Sequence, residues 1–488
     1  MSEQRGGFRS RTPQAEQQTR PPRRRRPARS TPRVRVDLPR QTAFSALRAV
    51  FVDGAYGNIA VNQALRKSGL NGRNAAFTTE ISYGVMRTVG VLDEIIADCS
   101  SRPIDELDDA VLIALRMGIY EILYMRVEDH AAVSTTVELV GANVAHASDG
   151  VKGFVNAVLR TVTRSTKDEW IAKLSPEGEI AAMAFATAHP EWIAESFVRI
   201  LGVDGAREEL IADSQRPRVH LAARPGEITA EELALSCGGE EGKYSPYAVY
   251  LTKGNPAKVE AVQERLAFVE DEGSQLVGRS LTVAGVEGTD HGNWLDLCAG
   301  PGGKTQFIGA IAATEQAHVT AVEVVPHRAD LVRQAVEGLP VTTLTADGRT
   351  VKNRPEVAAV VDEFGGFDRV LVDAPCSGLG ALRRHQEARW IKSEEDITGL
   401  NGLQQELLQA AVELTRPGGV VIYATCSPDL RETRAIVDWG VENLPVTELD
   451  AHPLVAPMEN VGEDKSVQMW THLHGTDCMF FACLRVNE

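Results

Sequence analysis

Twelve residues, Trp294-Leu-Asp-Leu-Cys-Ala-Gly-Pro-Gly-Gly-Lys-Thr305, constrain this chain more than any others. Trp294, Leu295 and Leu297 read as a short apolar strand. Gly300, Gly302 and Gly303 read as a loop, and Phe307, Ile308 and Ile311 as one face of a helix that starts at Lys304. Strand, glycine-rich turn and helix, in that order, bring backbone N–H groups close to a ligand at the edge of an α/β sheet. The spacing lacks the G-x-G-x-x-G of a dinucleotide fold, and no Gly-Lys-Ser/Thr follows four intervening residues as in a P-loop. The loop alone leaves its ligand open.

The residues after it narrow the choice. Strands and helices alternate as in a parallel, doubly wound sheet. Val319–Glu323 is a strand that ends in an acid about twenty residues past the glycines, where a carboxylate can accept both hydroxyls of a ribose. Asp347 follows the strand 341–344 at the ligand edge, with an adenine amino group as its expected partner. A helix N-cap is the ordinary alternative for either acid.

Two further strands each deliver a cysteine to that edge. Phe367–Asp373 runs into Ala-Pro-Cys376-Ser, and 420–424 runs into Thr425-Cys426-Ser. A buried cysteine usually fills space, but two at neighbouring strand ends, each followed by Ser, point to chemistry. A thiolate adds to C6 of a pyrimidine and makes C5 electron-rich enough to take a methyl group. The free thiol pKa is about 8.5, so such a site must favour the thiolate. An acid near N3 must compensate charge as the ring is attacked, a part that suits Asp373 if it is protonated or shares a proton. The C5 proton must then leave before the sulfur can be expelled.

The N-terminal half is different in kind. Residues 1–40 hold twelve Arg, no Lys, three acids and six Pro, with few large apolar residues. This segment, at +9, is predicted to be disordered, and it reads either as a solvated tail or as an electrostatic arm for RNA. The whole chain carries −16, so the remainder carries −16 − 9 = −25 and would meet a polyanion only through local basic patches or the tail. Ala43, Leu47, Val50 and Phe51, then Phe77, Ile81 and Val85, recur at helical spacing. With the apolar stripe between Asp108 and Tyr124 they predict an all-α bundle of about six helices. Asn156 and Arg160 lie one turn apart and suit RNA backbone or, more simply, one another. Residues 167–214 continue helically, and 219–266 predict a small α+β unit that either guides RNA or spaces the domains. The expected division is 1–40 tail, 41–166 helical domain, 167–285 connector and α+β unit, and 286–488 α/β Rossmann-like domain. Seven scattered cysteines without a C-x-x-C pair argue against zinc and disulfides and for a reducing cytoplasm. No run is apolar enough for a membrane span, and the arginine-rich start is no secretory signal.

Three blocks in the helical part (Leu115-Arg-Met-Gly-Ile-Tyr-Glu-Ile-Leu, the segment from His130 to Glu138, and Gly153-Phe-Val-Asn-Ala-Val-Leu-Arg) resemble a NusB-type RNA-binding domain. Asp296-Leu-Cys-Ala-Gly-Pro-Gly-Gly-Lys-Thr, Asp373-Ala-Pro-Cys-Ser-Gly and Tyr423-Ala-Thr-Cys-Ser resemble the signature blocks of S-adenosylmethionine-dependent RNA cytosine-5 methyltransferases, and 269–277 resembles their pre-catalytic block. Together they resemble the bacterial 16S rRNA enzymes of the RsmB/Sun/Fmu group. The resemblance implies S-adenosylmethionine as cofactor. It places the cofactor contacts on Cys298, Ala299, Gly300, Pro301, Gly302, Gly303, Lys304, Glu323, Arg328, Asp347 and Asp373. It makes Cys426 the nucleophile and gives Cys376 a part in product release, whereas DNA cytosine methyltransferases use the Pro-Cys cysteine. The implied substrate is 16S rRNA, naked or in an early small-subunit particle, acted on by a monomer without metal or membrane. Two departures stand out: Glu323 where Asp is common, and Asp477-Cys-Met-Phe-Phe where Asp-Gly-Phe-Phe is typical. A non-catalytic RNA-binding or antitermination factor is the rival reading, and a nicotinamide dehydrogenase fails on its glycine spacing.

Overall fold

Six helices open the molecule: α1 (Leu38–Phe51), α2 (Gly57–Ser68), α3 (Gly72–Cys99), α4 (Asp109–Tyr124), α5 (Asp129–Asn143) and α6 (Asp149–Val162). The computed structural model describes residues 37–145 and 147–488. The apolar stripes read from the sequence meet in one core that includes Leu47, Ile81, Val85, Leu92, Leu115, Ile119, Leu139 and Leu159. Asp108 and Ser148 cap α4 and α6 by accepting from Ala110 N and Val151 N. On α6, Arg160 Nε donates to Asn156 Oδ1 at 3.2 Å, so those two side chains bond to each other.

The predicted tail ends earlier than 40. Pro39 sits in the first turn of α1, where its fixed φ suits a helix start, and Arg40 donates to the buried Glu121 through Nε at 2.9 Å. A carboxylate buried in the bundle needs a cation, and that draws residues 38–40 into the fold. The rest of the disorder expectation lies outside the described residues.

Helices Lys167–Leu174, Glu179–Ala186 and Glu191–Asp213 follow, and then a small antiparallel sheet of β1 (Val219–Ala223), β2 (Glu240–Glu241), β3 (Ala248–Leu251) and β4 (Ala267–Val269) in the order β2-β3-β1-β4. The connector does more than space two domains. Ile193, Phe197 and Leu210 of its last helix pack against Leu379, Leu382 and Trp470 of the C-terminal region. The helix Glu272–Val283 packs Leu276, Val277 and Leu281 into one core with Trp294, Phe307 and Ile308. The packing of the C-terminal domain therefore starts before the expected division at 285/286.

The large sheet has eight strands: β5 (Asn293–Asp296), β6 (His318–Glu323), β7 (Val341–Thr345), β8 (Phe367–Asp373), β9 (Thr415–Thr425), β10 (Val446–Leu449), β11 (Val467–Gln468) and β12 (Phe480–Val486). Their order is β10-β12-β9-β8-β5-β6-β7, with β11 beside β12. β5 to β9 are parallel, as read from the sequence. β10, β11 and β12 pair antiparallel, which was not. β11 and β12 are linked by a connection too short for a parallel crossover, and this fixes their direction. Alternate residues of β5 serve the two faces, Trp294 in one core and Leu295 in the other. The chain goes outward from β5 through β6 to β7, then returns to β8 on the other side of β5. That reversal opens a crevice beyond the strand ends of β5 and β8, and the glycine loop, Asp373 and both cysteines lie at it.

Candidate active site

β8 and β9 run side by side in register, Asp373 opposite Ala424, and Ala374 N donates to Ala424 O at 2.8 Å. The residues just beyond them are therefore forced together, and Cys376 Sγ lies 3.4 Å from Cys426 Sγ. The serines that follow them meet as well. Ser377 Oγ donates to Ser427 Oγ at 3.2 Å, and the fully buried Glu432 accepts from Ser377 N at 2.8 Å. Gln404 Nε2 ties Pro375 O into the same cluster at 2.9 Å. Gly380 locks the floor. Its N donates to Cys426 O and its O accepts from Cys478 N, both at 2.9 Å, and a side chain there would overlap the backbone of 478. The Cys376 thiol is raised well above its ordinary value, by its hydrogen bond to Cys426 first and by burial second. It therefore keeps its proton.

Of the cofactor residues implied by the resemblance, Cys298, Gly300, Pro301, Glu323, Arg328, Asp347 and Asp373 line one cavity of about 570 Å³ that ends at the two cysteines, whereas Ala299, Gly302, Gly303 and Lys304 line the cavity beside it. Gly300 passes so close to Glu323 that a Cβ would collide with Glu323 Oε2, and Gly302 at φ +114° turns the chain into the helix Gly303–Glu315. Glu323 is buried at the end of β6. It accepts from Val325 N at 2.8 Å and lies 3.6 Å from Arg328 Nε, while Arg328 Nη2 donates to Gly300 O at 2.6 Å. Cys298, Gly300 and Pro301 line this cavity, Ala299 is buried behind it, and burial holds the Cys298 thiol well above its usual range. Asp347 reaches the cavity rim, but its carboxylate receives Arg349 Nε and Nη2, the latter at 2.6 Å.

A second cavity, of about 330 Å³, adjoins the first and shares Cys298, Gly300, Pro301, Asp373 and His385 with it. At the boundary, Lys304 Nζ donates to Asp373 Oδ2 at 2.8 Å. Burial opposes the lysine charge, but Asp373, Glu270 and Cys426 outweigh it and hold its pKa above the ordinary lysine value. Two acids that the residue pattern did not single out stand here. Burial pushes Asp296 up to about 7; Thr305 Oγ1 donates to its Oδ2 at 2.7 Å, and its Oδ1 has no partner. Glu270 is also buried, with Oε2 unpartnered. Asp296 had a legible signal, an acid at a strand end just before the glycines. Glu270 lay hidden in a run of three acids. Among the described residues, no group of three or more His, Cys, Asp or Glu is placed to hold a metal ion, and no helix is long and apolar enough to cross a membrane.

Comparison with known proteins agrees with this geometry. The family described as 16S rRNA methyltransferase RsmB/F matches residues 284–485, and the NusB family matches residues 37–164. A putative methyltransferase of Mycobacterium tuberculosis is 49% identical over 467 residues, spanning 93% of this chain and 99% of that protein. The ribosomal RNA small subunit methyltransferase B of Erwinia tasmaniensis is 33% identical, over 73% of this chain and 79% of its own length. Among solved structures, PH0851 matches with a TM-score of 0.76 at 21% identity, over 93% of this chain and 99% of that one. NSun6 from Pyrococcus horikoshii, solved with SFG, matches with a TM-score of 0.51 at 16% identity, over 61% and 98%. These two likenesses concern the fold.

Proposed function

Because the chain belongs to the RsmB/F family of S-adenosylmethionine-dependent rRNA methyltransferases, we propose that it methylates C5 of one cytidine in 16S rRNA through a bond between Cys426 and C6 of the base. The observation that carries this reading is the pair of sulfurs 3.4 Å apart at the ends of adjacent parallel strands, beside the Lys304–Asp373 ion pair. The residues present fit the cofactor: Glu323 at the ribose position, a loop at Gly300 that tolerates no side chain, and a free Asp296 oxygen suited to an ammonium group. Bound S-adenosylmethionine supplies an electrophilic methyl group.

The residues then divide the work. Cys376 keeps its proton and holds it towards Cys426 Sγ, 3.4 Å away, and Cys426 is the sulfur that attacks. As Cys426 Sγ bonds to C6, the ring gains electrons, and Lys304, held charged by Asp373, faces the negative charge that develops. After C5 is methylated, the C5 proton leaves and the S–C6 bond breaks. The departing Cys426 sulfur takes the Cys376 proton, and Cys376 accepts the one from C5. The two sulfurs end with one proton more than they began with, and it passes to solvent. A base that must reach thiol and methyl group together cannot stay stacked, so an unpaired or everted cytidine is the substrate. The bundle and the small sheet provide the surface for the rest of the RNA.

The test is transfer of a labelled methyl group to unmethylated 16S rRNA transcript, followed by digestion to nucleosides. Label in 5-methylcytidine is expected. Label in another nucleoside overturns the assignment, and no label favours a non-catalytic RNA-binding factor.

A further inference from the structure

Glu270 is a buried acid for which the mechanism above has no use. It lies between β4 and the helix Glu272–Val283, is 7% exposed, and its Oε2 has no hydrogen-bond partner. Its two acidic neighbours are fully engaged. Asp271 pairs with Arg383 and Arg384, and Glu272 accepts from Tyr244 N, Ser245 N and Tyr250. A carboxyl oxygen left unpaired at such depth is costly and points to a missing partner. Glu270 Oε1 lies against Gly303, where a Cβ would sit 3.1 Å away. The side chain lines the second cavity with Lys304, Asp373 and His385, and the last two also line the cavity of the cysteines. Because the two cavities meet at Asp373 and His385, the second is open to the far edge of a ring seated over Cys426.

That edge needs a donor. Asp373 Oδ2 is already engaged as the acceptor of Lys304 Nζ. We propose that Glu270, as a neutral carboxyl, pairs with the Watson–Crick edge of the target base and selects cytosine over uracil; this rests on the function proposed above. The O–H donates to N3 and the C=O accepts from the N4 amino group. Uracil offers N3–H and O4 instead, so donor would face donor and acceptor would face acceptor. As the Cys426 S–C6 bond forms, electrons move from the C5=C6 bond into the ring. The Glu270 proton passes to N3 and leaves a carboxylate, and it returns when the S–C6 bond breaks.

The electrostatics agree. Burial first, and Asp271 and Asp373 next, push Glu270 up to about 8 against the pull of Lys304. The other charged or titratable groups along this cavity are His220, Asp296, Cys298, Arg384, His385 and Asp477. The competent form is protonated, so the contribution of Glu270 is full below about pH 8 and fades as pH rises through it.

The experiment compares full-length wild type, Glu270→Gln and Glu270→Ala. The substrates are a 16S rRNA transcript and the same transcript with uridine at the mapped target position, and S-adenosylmethionine affinity is measured in parallel. Glu270→Ala is expected to lower kcat/KM for cytidine by about 10- to 100-fold, the range of one good bidentate base contact. It should narrow the preference over uridine and leave cofactor affinity unchanged. Glu270→Gln, which keeps a donor and an acceptor but has no proton to pass to N3, is expected to restore the preference over uridine, to leave kcat low, and to flatten the decline above about pH 8. Unaltered cytidine preference in Glu270→Ala, or an unaltered alkaline decline in Glu270→Gln, would overturn the proposal. If wild type itself makes no 5-methylcytidine, the underlying reading fails, and this one with it.

Discussion

Cys376 and Cys426 sit symmetrically on their strands but not in their surroundings. Glu432 and Asp373 add to the raising of Cys376, whereas Cys426 acts on Lys304. The lysine is thus the cation that ties Cys426, Asp373 and Glu270 into one site. Lys304→Ala should lower kcat by on the order of 100-fold, the scale of one preorganised electrostatic contact, as read by steady-state methyl transfer. A rate within a few-fold of wild type would remove Lys304 from the mechanism. At this scale, motif spacing made both cysteines, Asp373 and Lys304 legible. It could not tell apart Glu270, Asp271 and Glu272, which are adjacent and alike in the sequence and differ only in partners brought from distant segments.

The elements that carry the site are held by buried charge as well as by apolar packing. His189 begins the turn into the helix Glu191–Asp213. Its Nε2 lies 3.3 Å from Asp213 Oδ2, and Arg389 Nη2 lies 3.5 Å from the same oxygen. Burial first, and Arg389 next, lower His189 to about 4. The unfolded chain, with a histidine pKa of about 6.5, binds the proton more readily. This contribution is therefore full above about pH 6.5 and is lost as pH falls towards 4, amounting to about 3 kcal/mol. Denaturant midpoints of wild type should fall through that window, and those of His189→Gln should fall less. Parallel acid profiles would contradict this. The parallel strands were legible because each is rich in apolar and β-branched residues and is followed by a helical pattern. Not legible were β2, β4, β10, β11 and β12, all antiparallel, of which β2 and β11 are only two residues each. In the small α+β unit, residues 256–263 form only a 3-10 turn (Pro256–Lys258) and one short turn of helix (Glu260–Gln263).

Across the whole molecule, and among the described residues, the segment just after Cys376 touches both the helical bundle and the connector helices. Glu387 accepts from Gly57 N of α2 at 2.9 Å, Trp390 packs on Gly90 of α3 with no room for a side chain there, and Arg389 donates to Ala188 O and Asp213 O. These contacts fix the bundle and the connector relative to the two cysteines. None of this was legible, because glycines and a tryptophan far apart in sequence carry no sign that they meet. The tail enters at this scale through charge alone. Deleting residues 1–36 removes eleven arginines and two acids, a net of 11 − 2 = +9. RNA affinity should weaken, and the slope of log affinity against log salt should become shallower by about 0.7 to 0.9 for each phosphate that the arginines had neutralised. An unchanged slope would make the tail a solvated appendage.

The central claim is the division of labour between the two sulfurs, and trapping the protein–RNA adduct tests it most directly. Wild type, Cys426→Ala and Cys376→Ala are each incubated with S-adenosylmethionine and unmethylated 16S rRNA, then resolved under denaturing conditions. Cys426→Ala should be inactive and form no adduct, whereas Cys376→Ala should bond to the RNA and accumulate as adduct because product release stalls. An adduct that requires Cys376 and survives the loss of Cys426 would contradict the account.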